Sequence, residues 1–108
     1  MDAMSGIAVT PELDLERETR LSPLFHVVLL DDQEHTYEYV VEMLTKLFRK
    51  PAERAFRHAV EVDATGRTIV ETCPLEVAEW KRDQLKGYGG DWRLGSTTSM
   101  QAVIERAD

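Results

Sequence analysis

What this chain has little of narrows the field first. It has a single cysteine, Cys73, so it holds neither an intrachain disulfide framework nor a thiolate cluster for zinc. Cys73 is expected to be a partly buried, small apolar residue. Six glycines and four prolines in 108 residues are too few for a collagenous or low-complexity chain. No apolar run approaches the roughly 20 residues that cross a bilayer as a helix. Basic runs are absent as well, and the net charge is -7. Nucleic-acid phosphates and anionic membrane surfaces are therefore poor partners, whereas a cationic group on a ligand suits the balance. The N-terminus has no basic stretch followed by an apolar core, so no secretory signal is read there and the cytoplasm is the expected address.

What is present is a globular composition, 43% hydrophobic and 31% charged, with enough chain for one core. Residues 1–23 have scattered apolar positions, two prolines and no sustained period, and are expected to be a flexible N-terminal extension to a domain at 24–108. LFHVVLL, from Leu24, is a short β-branched run closed by Asp31 and Asp32 and predicts a buried strand. Val40, Val41, Leu44, Leu47 and Phe48 recur at helical spacing from about Thr36 to Arg49. Pro51 opens a second helix, on which Ala55, Phe56, Ala59 and Val60 form an apolar stripe. Asp63 to Gly66 reads as a turn, and RTIVETC as a strand with a polar outer face. Pro74 opens a third helix, with Val77, Ala78, Lys81 and Leu85 on one side, which stops at Gly87. WRLGSTTSMQAVI supplies a last strand that Gly95 interrupts. The order predicts a small α+β sandwich, βααβαβ, with three helices on one face of a three-stranded, mainly antiparallel sheet.

The acid-rich junction DDQEHTYE is the feature that asks for a function. A metal site is one reading of Asp31, Asp32, Glu34 and His35, but EF-hand spacing and a second His at helical spacing are both missing. Acid–base catalysis is another, although His26, His35 and His58 are far apart in sequence and no Ser or Cys has a nucleophile setting. His26 is expected to face solvent from its strand, and His58 to lie on the exposed side of its helix. Helix capping by Thr36, with acids favouring the positive end of the helix dipole, accounts for one or two of the charges. The fourth reading is a seat for an ammonium group, with a second carboxylate from Asp63 and an apolar cavity beside Val40, Ala59 and Val62. From the residues alone, all four stay open.

VVLLDDQEHTYEYVVEMLTKLF, then AERA, a turn at Gly66 and LEVAEWK together resemble the ClpS adaptor family, from Leu24 to Leu85. DDQEHTYE is also similar to the ClpS-like module of eukaryotic N-recognin ubiquitin ligases. The resemblance implies a monomeric, non-catalytic adaptor without cofactor or metal. Such an adaptor binds bulky hydrophobic first residues (Phe, Tyr, Trp or Leu) and delivers the substrate to a ClpA- or ClpC-type AAA+ unfoldase. It places Asp31, Asp32 and Asp63 around the substrate's α-amino group, and Gln33, His35, Tyr37, Val40, Ala59 and Val62 around its side chain. Glu76 and Lys81 fall on the face that docks the unfoldase's N-terminal domain, with Trp80 bulkier than the usual residue there, and residues 1–23 match the arm engaged during delivery.

The departures from the family pattern are chemical. Asp31 stands where an Asn is usual and Asp63 where a His is usual, so up to three carboxylates would surround one ammonium. Tyr37 and Ala59 stand at positions where relatives commonly have Met, which favours aromatic first residues. The last third matches poorly, and Trp92 or Leu94 is expected to supply the pocket wall that a different segment supplies in relatives. A diverged chain that docks the unfoldase but has lost or altered N-terminal recognition is the alternative.

Overall fold

The computed structural model describes residues 23–108. The expected extension at 1–23 thus lies, except for Pro23, outside the described residues. The elements run β1 (Leu24–Leu30), α1 (Tyr37–Phe48), α2 (Ala52–Thr65), β2 (Arg67–Pro74), α3 (Leu75–Lys86), a 3₁₀ turn (Trp92–Leu94) and β3 (Ala102–Arg106). This is the βααβαβ order, and the sheet is antiparallel throughout, with β1 central between β2 and β3.

Strand β1 is central because its apolar run suits burial. Val27, Val28 and Leu29 are fully buried, with Val27 and Leu29 packed in the core. Helix α1 starts where Thr36, in extended conformation, accepts the Tyr39 N–H with its side chain. It ends at Arg49, whose φ of 55° makes it a left-handed cap. Helix α2 runs three residues further than the sequence suggests, through Asp63 and Ala64 to Thr65, and Gly66 (φ 89°) caps it. Cys73 is half-buried against the core, and burial pushes its thiol up, which suits an inert apolar role.

Two expectations about α2 are corrected. Its buried face is Ala55, Ala59 and Val62, while Phe56 and Val60 are exposed. The alanines let α2 approach its neighbours closely, so the small side chains rather than the large ones mark the packed side. His58 is half-buried, not exposed, with Nδ1 2.8 Å from the Thr68 hydroxyl. Burial, then the nearby Lys50 charge, hold its imidazole below the ordinary value.

Strand β2 carries a bulge: Val27 lies opposite Glu71 and Val28 opposite Ile69, leaving Val70 as the extra residue. Thr68 and Val70 are buried and Ile69 is exposed, as plain alternation gives, and the bulge then leaves Thr72 on the outer face in place of Glu71. Glu71 comes opposite core-facing Val27, on the helical side, where Lys50 and Lys81 meet it at 2.9 and 3.2 Å. Burial pushes the Glu71 carboxyl up, but hydrogen bonds from the two lysines outweigh it, and the net shift is down.

Candidate functional site

The acid-rich junction begins where β1 ends. The Leu30 N–H donates to the Gln101 carbonyl and the Asp31 N–H to the Gly66 carbonyl, both at 3.0 Å. The second bond fastens the β1–α1 junction to the end of α2, whose last turn carries Asp63. Residues from separate parts of the chain are in this way brought to one mouth.

Each acid has a different local partner. Asp63 accepts the Tyr37 hydroxyl at 2.6 Å. Asp32 accepts the Glu34 N–H at 2.9 Å, closing a tight turn. His35 Nδ1 lies 2.7 and 2.8 Å from the two Asp32 oxygens, and its Nε2 lies 2.6 Å from the Thr98 carbonyl. Both ring nitrogens thus face acceptors. The imidazole is buried, with its ring centroid 4.4 Å from that of Tyr39. Asp31 is exposed, and no side-chain hydrogen bond of it is found among the described residues. The phenol of Tyr37 is pushed up by its bond to Asp63 first, then by partial burial and the negative charges of Asp63 and Asp31.

A small cavity unites these groups. Asp31, Asp32 and Asp63 line it together with His35, Thr36 and Tyr37, and Val40, Ala59, Val62 and Met100 form its apolar walls. Its volume is about 40 Å³. Gln33 is exposed and is not among the residues lining it. Trp92 and Leu94 do not supply the wall: they are 76% and 53% exposed. The 3₁₀ turn leaves both side chains in solvent, and Met100, just before β3, takes the place expected of them. Its signal was the alternation Met100, Ala102, Ile104, which points inward at every second residue.

The wall is held by a residue the sequence did not flag. Asp91 is fully buried and caps the 3₁₀ turn by accepting the Arg93 N–H at 3.1 Å. Its other oxygen accepts the Thr36 N–H at 2.7 Å and the Thr36 hydroxyl at 2.8 Å. Burial pushes this carboxyl up, but the bonds from Thr36 and Arg93 outweigh it and hold it below the usual carboxylate range. The segment is tied down again where the Tyr39 hydroxyl donates to the Gly89 carbonyl at 2.6 Å. Gly90 lets the Ser96–Thr97 backbone pass close by, since a Cβ there would fall 2.0 Å from the Ser96 carbonyl oxygen.

The remaining sequence candidates lie on α3, away from the cavity. Glu76 is exposed in its first turn, and Trp80 is 56% exposed. Lys81 is partly buried, paired with Glu71 and lying 5.4 Å from the centre of the Phe48 ring. A wider groove of about 640 Å³ between α2 and β2 includes Lys50, Arg54 and Arg57, but Lys50 is paired with Glu71 and Arg57 with Glu53. Among the described residues, no group of three or more His, Cys, Asp or Glu is placed to hold a metal ion. No helix among them is long and apolar enough to cross a membrane.

A family model described as ATP-dependent Clp protease adaptor protein ClpS matches residues 20–91. The chain belongs to the ClpS family. Its members are adaptors of the Clp protease rather than enzymes. The ATP-dependent Clp protease adapter protein ClpS of Vibrio cholerae is 33% identical over 84 residues, covering 74% of this chain and 79% of the relative. The ClpS of Lawsonia intracellularis is 35% identical over 72 residues, 67% of this chain and 66% of the relative. The fold matches the structure of Agrobacterium tumefaciens ClpS2 bound to L-phenylalaninamide, with a TM-score of 0.68. That match is 24% identical and covers 78% of this chain and 96% of the ClpS2 chain.

Proposed function

We propose that this ClpS adaptor binds the free amino terminus of a substrate whose first residue is bulky and hydrophobic (Phe, Tyr, Trp or Leu), and delivers it to a ClpA- or ClpC-type AAA+ unfoldase. Asp31, Asp32 and Asp63 hold the α-ammonium, while Val40, Ala59, Val62 and Met100 take the side chain. Tyr37 and His35 frame the mouth. Glu76, with Lys81 and Trp80 on the same helix, belongs to the face offered to the unfoldase's N-terminal domain. The adaptor acts as a monomer in the cytoplasm, needing neither cofactor nor metal.

One juxtaposition carries this reading: three carboxylates and an apolar wall line the same cavity, where α1, the end of α2 and Met100 meet. An ammonium beside an alkyl or aryl group is the chemistry that matches both. A related fold in ClpS2 binds L-phenylalaninamide, which has those two parts. A charge-assisted bond of this kind contributes roughly 1.5–3 kcal/mol, enough to separate free from blocked ends by an order of magnitude or more.

The test is fluorescence anisotropy with one peptide carrying Phe, Tyr, Trp, Leu, Ile, Arg or Ser first, each free and N-acetylated. Tight binding of the free bulky ends alone is the expected result. Equal binding of acetylated ends would contradict the ammonium seat. The small volume of the cavity favours a second reading, in which the chain docks the unfoldase but has lost or altered N-terminal recognition. Silence across all seven peptides, with unfoldase binding retained, would select it.

A further inference from the structure

Resting on the reading above, we propose that the Tyr37–Asp63 hydrogen bond is a latch that closes the side-chain cavity, and that an arriving ammonium opens it by taking Asp63 for itself. The cavity of about 40 Å³ is far too small for the ring it is to accept. An apolar cavity that takes benzene is on the order of 150 Å³. Something at the mouth must move, and Tyr37 is the group free to do so. It is 38% exposed, in the first turn of α1, and its hydroxyl bond to Asp63 ties it to α2 at 2.6 Å. Tyr37 also lines a second, mostly apolar groove of about 360 Å³ on its other side, with Val41 and Phe56. That groove gives the ring a place to go, where Phe56 already meets it edge-on at 5.9 Å between centroids.

The exchange at Asp63 follows from the strengths of the donors. Both bonds to the Asp63 carboxylate are charge-assisted, but the phenol is neutral, whereas an ammonium adds a full positive charge and so a Coulomb attraction that the phenol lacks. Asp63 therefore prefers the ligand, and its departure from Tyr37 frees the ring. Recognition of the amino group and opening of the side-chain cavity become one event. An N-acetylated end has no charge with which to take Asp63, so it meets a closed cavity as well as an unfilled seat. The latch lowers apparent affinity for every ligand by the fraction of molecules that stand open. At this position a residue without a hydroxyl imposes no such cost.

Tyr37→Phe removes the latch and keeps the ring. Its effect is read by anisotropy with the free Phe-first peptide, using the full chain, with the N-acetylated peptide as control. The variant is expected to bind the free peptide about 2- to 10-fold more tightly, the equivalent of one net hydrogen bond. Wild type that is silent beside a variant that binds would be the same result with a stronger latch. Wild type that binds, with Tyr37→Phe equal or weaker, overturns the latch and leaves N-terminal recognition standing. Silence from both proteins overturns recognition and the latch together.

Discussion

Asp91 reaches back 55 residues to Thr36, accepting both its backbone N–H and its hydroxyl with one carboxylate oxygen. Thr36 in turn caps α1 at Tyr39. One buried carboxylate thus fixes the start of the helix that carries Tyr37 and Val40 and the segment that carries Thr98 and Met100.

Replacing Asp91 with Ala should strand buried donors at Thr36 and Arg93 and cost about 2–4 kcal/mol in urea unfolding. The pH dependence has a definite sign. The folded carboxyl is held down, so its stabilisation is full above the unfolded value near ~3.9 and is lost as pH falls toward the lower folded value. The gap between wild type and Asp91→Asn should accordingly narrow below about pH 4. A gap constant from pH 7 down to pH 3 would refute this role.

Lys81 has a structural role besides the docking role proposed for it. Glu71 lies between Lys50 and Lys81, and Lys50 is only 9% exposed. Glu71→Ala leaves that lysine buried without its partner and should cost about 1–3 kcal/mol. Lys81→Ala should lower stability by a smaller amount, because Lys50 still holds Glu71. Unfoldase binding by the Lys81 variant therefore needs to be compared with its melting temperature and with Glu76→Ala, where the side chain is exposed and stability should change by less than about 0.5 kcal/mol.

Most of the fold was legible from periodicity. The apolar run of β1, the Val40–Leu44 spacing of α1 and the Thr36 cap are local signals, and they are where the structure has them. The packed face of α2 was misread because Phe56 and Val60 outweigh Ala55 and Ala59 on any hydrophobic scale, although close helix packing prefers the small residues. The β2 bulge shifts every later residue to the other face, which no alternation rule anticipates. Within the site, the acids were visible because they are clustered and chemically unusual. Asp91 was not: an acid in a glycine-rich stretch reads as a loop residue, and its partner is distant in sequence. Met100 was overlooked for the larger Trp92 and Leu94, whose size says nothing about which way a 3₁₀ turn points them.

Asp31 should act through charge. It is exposed, with no side-chain hydrogen bond among the described residues, so Asp31→Asn should leave stability within about 0.5 kcal/mol. The change removes one negative charge at nearly constant size, and binding of a free Phe-first peptide should weaken only in part, by roughly 3- to 10-fold at low salt. The loss should shrink as ionic strength rises. A loss that is independent of salt would mean that Asp31 contributes shape rather than charge.

The most direct test of the central claim is an amide proton–nitrogen NMR titration with L-phenylalaninamide, repeated with its N-acetylated form. Binding at the carboxylate-rimmed cavity predicts saturable shifts at Asp31, Asp32, Tyr37, Ala59, Asp63 and Gly66 with the free amine, and none with the acetylated compound. Shifts confined to α3 or to the groove near Arg54, or identical shifts with both compounds, would contradict it.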